Sequence, residues 1–99
     1  MSDEPLRRTA VLPDGPAAAV RLIEPLLAQA VGLGAEPVSL TLDYGAPAEP
    51  GDAVIVEAGV ERATRTLVFA FARLLSPEGN VLAAASAIYR RSAEASKAA

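Results

Sequence analysis

The chain has 99 residues, of which 52% are hydrophobic, and its nine basic and twelve acidic side chains give a formal net charge of −3. The acidic balance argues against general nucleic-acid binding, which needs a basic face. Because the sequence contains neither Cys nor His, it excludes thiol nucleophiles, Cys/His zinc sites and His-based catalysis, and we expect no metal and no cofactor.

The length predicts a single domain over residues 1–99, and its apolar content suits association with another subunit. Residues 1–5 and 92–99 are expected to be flexible tails. The N-terminus lacks the apolar core of a signal peptide, and no stretch approaches the ~20 apolar residues of a membrane span. A cytoplasmic location and no membrane partner are therefore expected.

A short first strand is predicted over residues 6–12, followed by a helix start at Asp14-Gly15-Pro16. Asp14 or Gly15 suits the N-cap, and Pro16 suits the first turn because its missing N–H would have no helical partner there. Residues 17–31 then show helical spacing of apolar side chains.

The predicted helix contains a proline and ends at glycines. Gly32 and Gly34 provide the stop. Pro25 removes a backbone donor from the helix interior, so we expect either a kink at this point or a break into two short helices.

Four strand-like segments follow and predict an antiparallel meander after the helix. Residues 66–75 are apolar on both alternating faces, which predicts a central strand buried on two sides. Small alanine side chains in the last two strands let a helix pack closely on the sheet. The predicted strands are 38–44, 53–61, 66–75 and 81–90, and the predicted loops and turns are 45–52, 62–64 and 76–80.

The C-terminal part of the chain resembles the corresponding half of hot-dog thioesterase-like domains of the acyl-CoA thioesterase superfamily. Pro50-Gly51-Asp52 precedes a Val-rich strand, an Arg-containing hairpin follows, and an Ala-rich strand ends at Tyr89-Arg90. The resemblance covers roughly residues 14–91. It implies an α+β hot-dog fold, in which a curved antiparallel sheet wraps one central helix, and a binding cleft formed in a homodimer or a dimer of dimers.

The helix start departs from the pattern of that family. Many members begin the helix with His-Gly-Gly and carry an acidic residue about two to three turns further on. Asp14-Gly15-Pro16 stands at the corresponding place, without the His and with a proline that has no N–H to donate. The dehydratase and isomerase branches need a catalytic His and are excluded.

The resemblance points to two carboxylates and one amide as catalytic groups. Glu24 falls close to the family's helix carboxylate and would act as nucleophile or general base on a thioester; the alternative is a solvated helix residue before Pro25. Asp14 is the second candidate, and capping is its alternative. The Gly15 amide would hold the oxyanion.

Several other residues have a functional and an ordinary interpretation. Arg62, Arg65 and Arg90, together with Arg73 and Arg91, would bind the phosphates of coenzyme A, or they are surface charge. Asp43 lines a cleft in a dimer or is simply exposed. Tyr44 and Tyr89 belong to the core or to a pocket.

The sequence thus leads to one principal functional hypothesis and two alternatives. The principal hypothesis is hydrolysis of an acyl-thioester such as acyl-CoA. The alternatives are a non-catalytic module that binds acyl-CoA or an acyl chain, and a structural assembly subunit.

Overall fold

The computed structural model describes residues 4–91, which form one α-helix and one five-stranded antiparallel sheet. This confirms the predicted α+β class. Of the predicted tails at 1–5 and 92–99, residues 1–3 and 92–99 lie outside the described residues. No helix within the described range is long and apolar enough to cross a membrane. The elements are β1 (Leu6–Val11), α1 (Ala18–Val31), β2 (Ala35–Tyr44), β3 (Ala53–Ala63), β4 (Leu67–Leu75) and β5 (Val81–Arg91).

The strand order is β1-β3-β4-β5-β2. A meander is therefore present from β3 to β5, but the expectation that it includes the strand after the helix is wrong. β2 pairs with β5 at the far edge of the sheet, and the loop over residues 45–52 returns the chain to β3. β1 and β2 are the two edge strands.

The helix begins later than predicted. Ala17 is its N-cap, with φ 58, and the first bond of the helix runs from the Arg21 amide to the Ala17 carbonyl. The prediction of an N-cap at Asp14 or Gly15 is wrong, because these residues form a turn before the helix in which the Arg21 guanidinium donates to the Asp14 carbonyl (2.9 Å).

The helix continues through Pro25 to Val31 as a single element, so the predicted alternative of two short helices is wrong. Pro25 is exposed, and the missing hydrogen bond therefore faces solvent. The predicted stop is confirmed, since Gly32 is the C-cap and its amide donates to the Ala28 carbonyl.

The core lies between α1 and the inner face of the sheet, chiefly at β3 and β4. Ile23 and Leu27 of the helix are fully buried there. The sheet meets them with small side chains, Ala58, Ala70 and Ala72, all of them buried. This confirms that alanines allow the helix to approach the sheet.

Two bulges change the predicted faces. In β2 the register shifts between Pro37 and Ser39, so Val38 leaves the alternation that puts Leu40, Leu42 and Tyr44 on one face. In β3 a shift between Val60 and Arg62 lets the strand run on to Ala63, and the predicted turn at 62–64 lies instead around Thr64, whose amide donates to the Leu67 carbonyl.

The outer face of the central strand is less covered than predicted. The inner residues of β4 are buried, but Phe69 and Phe71 on the other face are only half-buried. The expectation of burial on two sides is therefore wrong for the single chain, because α1 covers one face of the sheet only.

Candidate functional site

A cleft of about 370 Å³ opens at the start of α1. The amides of Ala18, Ala19 and Val20 have no partner within the helix, since the first helical bond starts from the Arg21 amide. Their N–H groups form the positive end of the helix dipole, which favours a developing negative charge. The cleft is lined by Leu12, Gly15, Ala17, Ala18, Ala19, Tyr44, Gly45, Ala46, Pro47, Ala48, Leu74 and Leu82.

Asp14 and Gly15 lie together at this helix start. The Gly15 amide donates to the Asp14 carboxylate (2.8 Å), and both residues are exposed. Gly15 has φ +96, a conformation that favours glycine. The two sequence-predicted groups are therefore adjacent, and the amide expected to bind an oxyanion already binds an anion of its own chain.

Glu24 is exposed on one flank of the helix. The opposite flank, with Leu22, Pro25 and Gln29, lines the groove beside β1. Glu24 follows the first helical residue by six positions, which corresponds to a rise of about 9 Å along the axis. Within a single chain, Glu24 and the helix start therefore lie apart.

Tyr89 lies on the inner face of β5 and belongs to the core. Burial raises the pKa of the Tyr89 phenol, and the negative charge of Glu24 raises that pKa further. The residue is only 6% exposed, between Val68 of β4 and Pro37 of β2. Its hydroxyl forms no hydrogen bond within the described chain.

The arginines proposed for phosphate binding lie at one end of the sheet. Arg62 stacks on Phe69, with its guanidinium carbon 4.7 Å from the ring centroid. Arg90 of β5 lies opposite Leu67, the first residue of β4, and Arg65 lies in the turn that precedes β4. The helix start is at the other end of β4, about 23 Å away by strand rise.

The remaining sequence candidates lie apart from both groups. Arg73 forms an ion pair with Glu57 (2.7 Å) on the outer face. Asp43 is exposed opposite Ala84, also on the outer face. Sequence reasoning left open whether Tyr89 belongs to the core or to a pocket, and the structure places it in the core. The available signal was that Tyr89 follows a run of inward-facing alanines on β5 as the first bulky polar side chain.

Comparisons with known proteins point to one family. Residues 26–83 match the family profile described as the thioesterase superfamily. None of the curated protein sequences compared with the chain is a match.

Solved structures show the same fold. A phenylacetic acid degradation-related protein from Ralstonia eutropha has a TM-score of 0.74 at 22% identity, covering 87% of this chain and 75% of its own. A hypothetical thioesterase from Streptococcus pneumoniae, solved with coenzyme A, has a TM-score of 0.78 at 13% identity, covering 93% and 81%. Zebra fish thioesterase superfamily member 2 has a TM-score of 0.80 at 17% identity, covering 93% and 78%. The hot-dog fold implied by the sequence resemblance is thereby confirmed.

Proposed function

This chain belongs to the thioesterase superfamily, and on that premise we propose that it hydrolyses an acyl-thioester such as acyl-CoA. The observation that carries the proposal is the position of Glu24. Its carboxylate has no ion-pair partner within the described chain and lies on the helix flank that faces away from β1. A carboxylate held on a rigid helix in this way suits a general base or a nucleophile.

The reaction needs a second group to stabilise the oxyanion. We assign this role to the Gly15 amide, aided by the unpartnered amides of Ala18 and Ala19 beside it. The Asp14 carboxylate, which accepts the Gly15 N–H in the free chain, would move aside when the substrate carbonyl enters. Asp14 thereby keeps the amide oriented before binding.

A homodimer brings the separated groups together. β2 is an edge strand of ten residues whose Val38 is 50% and Tyr44 73% exposed. Antiparallel pairing of β2 with its two-fold copy would place the two helices antiparallel on one face of a continuous sheet. The rise of about 9 Å between helix start and Glu24 then favours the partner's Glu24 as the base for each helix start. Two such dimers would associate through other surfaces.

Charge along the sheet supports this antiparallel arrangement. One end carries Arg62, Arg65, Arg90 and Arg91 together with Glu4, Glu36 and Glu61, which leaves it weakly positive, whereas the other end carries the carboxylates Asp14, Asp43, Glu49, Asp52 and Glu78. Two-fold pairing would set each arginine end beside the partner's acidic helix-start end. The same symmetry would bring the partner's Arg62, Arg65 and Arg90 toward the cleft, where they would bind the phosphates of coenzyme A.

The test is thiol release from a panel of acyl-CoAs by the purified protein. Glu24→Gln removes the charge and keeps the shape, and we expect the turnover to fall by about a hundredfold or more, the range for general acid–base catalysis. Glu78→Gln, an exposed carboxylate in the β4–β5 turn, is the matched control and should retain wild-type turnover. Unchanged turnover of Glu24→Gln would remove Glu24 from the mechanism.

One observation favours a binding module as the second candidate. The Gly15 amide is engaged by Asp14 (2.8 Å) and Pro16 has no N–H, so the helix start offers fewer donors than a His-Gly-Gly start. A binder would show a raised Tm with acyl-CoA and no thiol release. If neither effect occurs with any acyl-CoA, a structural assembly role is favoured instead.

A further inference from the structure

Leu33 is a fully exposed apolar side chain in a turn whose backbone is tightly determined. The turn joins α1 to β2, and Leu33 lies in it between Gly32 (φ 96) and Gly34 (φ 82). Both glycines have a left-handed conformation that other residues rarely adopt. The chain therefore holds Leu33 at a defined place, outside the core of its own subunit.

Leu33 extends a strip of exposed apolar side chains along the β2 edge. Of the seven large apolar side chains that are exposed in the described chain, four lie between residues 33 and 44, namely Leu33, Val38, Leu40 and Tyr44. β2 is the strand that the proposed homodimer pairs with its copy, and a contiguous apolar strip marks an interaction surface. What Leu33 contacts in that dimer follows from the register of the pairing.

Antiparallel pairing of β2 with its copy sets Leu33 level with the loop after the partner's β2. The middle of β2 lies near Leu40, so a residue seven positions before Leu40 comes level with the residue seven positions after it in the partner. That residue is Pro47. Val38 is the extra residue of the β2 bulge and moves the level by one position, to Ala46. The same orientation sets each arginine end of the sheet beside the partner's acidic end.

Ala46 and Pro47 form one wall of the cleft at the helix start. The amides of Gly45 and Ala46 donate to carbonyls of β5 (both 2.9 Å), so this segment continues the pairing of β2 with β5. Its other edge is unpaired within the described chain and is the edge that the partner would approach. The cleft behind this wall is lined by the apolar side chains of Leu12, Leu74 and Leu82.

We propose that the partner's Leu33 lies against Ala46 and Pro47 and closes the apolar part of the cleft, where it limits the length of the acyl chain that the site accepts. The inference rests on the proposed function and its homodimer. The two features match in depth as well as in level. Leu33 lies where its chain passes from the helix to the sheet, and the cleft lies between the same two layers. An acyl group whose carbonyl is bound at the helix start would end against this side chain, which makes Leu33 a specificity-determining residue for short acyl chains.

The absence of cysteine from the sequence makes this contact testable by disulfide crosslinking. We expect Leu33→Cys combined with Ala46→Cys or with Pro47→Cys to give disulfide-linked dimers on non-reducing gels, since a bridge needs Cα atoms within about 7 Å. Within one chain these positions lie at opposite ends of β2, so a link joins two subunits. The three single-cysteine variants are the controls and should stay unlinked, because the two-fold axis puts like residues at opposite ends of the strand pair. Absence of linked dimers from both pairs overturns the placement, whether or not the protein releases thiol from acyl-CoA.

Leu33→Ala tests the role in specificity. Removal of the side chain would open the cleft, and we expect the ratio of kcat/KM for dodecanoyl-CoA to that for butanoyl-CoA to rise by about tenfold or more, the range for a misfit in an apolar pocket. Val11→Ala, at an exposed apolar residue of β1, is the matched control and should keep the wild-type ratio. An unchanged ratio in Leu33→Ala overturns the role in specificity. If wild type releases no thiol, the proposed hydrolysis fails by itself, and the crosslinks still decide whether Leu33 lies at the partner's cleft.

Discussion

Glu57 shows how a single buried charge is held on the outer face of the sheet. It is only 5% exposed, and its two carboxylate oxygens bind Arg73 (2.7 Å) and Arg7 (3.1 Å). Glu57→Ala would leave both guanidinium groups without this partner. Since both arginines are about half exposed, water compensates in part, and we expect a loss of about 1–2 kcal/mol in the free energy of unfolding.

Urea denaturation of Glu57→Ala measures this loss, with Glu61→Ala as the control. Glu61 lies on the same strand but is exposed, so its removal should change stability by less than about 0.5 kcal/mol. Equal effects of the two substitutions would contradict a stabilising role for the Glu57 network.

Tyr89 also gives the protein a defined alkaline limit. Burial, and then the negative charge of Glu24, raise the pKa of the Tyr89 phenol in the folded state above its ordinary value of 10.0. The unfolded chain therefore ionises this phenol first, and the stability that the neutral phenol contributes is complete below about pH 10 and lost as the pH rises through the folded pKa. We expect the Tm to fall as the pH rises above about 10, and to fall less in Tyr89→Phe. Identical slopes in the two proteins would show that Tyr89 is not the group responsible.

Among the candidate site residues, the sequence identified those with local signals, and it did not show which long-range contacts they make. Gly15 beside Asp14 and the exposed Glu24 follow from their place near one helix start. The burial of Tyr89, which is only 6% exposed, depends on how distant elements pack together. No spacing along the chain reports that packing.

At the scale of the element, Pro25 is the clearest defect in α1. The helix continues through it, although the Arg21 carbonyl loses its usual donor and the ring crowds that carbonyl. Pro25→Ala restores the donor. The larger entropy of the unfolded chain offsets part of the gain, so we expect stabilisation of about 1–2 kcal/mol.

Thermal or urea unfolding checks the sign of this effect, with Ala28→Gln as the control on the exposed side of the same helix. That exchange replaces one good helix former with another and should be nearly neutral. A destabilised Pro25→Ala protein would show that the ring makes contacts worth more than the missing hydrogen bond.

A helix or strand was predictable where a single local pattern of apolar side chains determines it. Helical spacing predicted α1 almost to its ends, and alternation predicted β3, because burial on one face selects those side chains. The bulges at 37–39 and 60–62 were not predictable, since they depend on the partner strand. The pairing of β2 with β5 was missed for the same reason, because alternation predicts a strand but not its neighbour in the sheet.

At the scale of the whole molecule, the candidate groups are distributed over two ends of the sheet. The sequence identified Arg62, Arg65 and Arg90 and the helix start separately, but it carries no information on the distance between them. In one chain that distance is about the length of β4, roughly 23 Å. The proposed assembly of these residues into one site would therefore need a second copy of the chain.

The two edge strands differ in a way that tests this assembly. β1 presents Arg7 and Arg8 along its exposed edge, and charge of this kind discourages further pairing. The centre of β2, Ser39-Leu40-Thr41, carries no charge, and Leu40 is 36% exposed. We therefore expect Leu40→Lys to convert a wild-type dimer to a monomer in analytical ultracentrifugation, because two like charges would meet near the two-fold axis. Val11→Lys places the same charge on the other edge, at a residue 62% exposed, and should remain dimeric. A monomeric wild type, or a dimer that survives Leu40→Lys, would rule out pairing through β2 and with it the shared site.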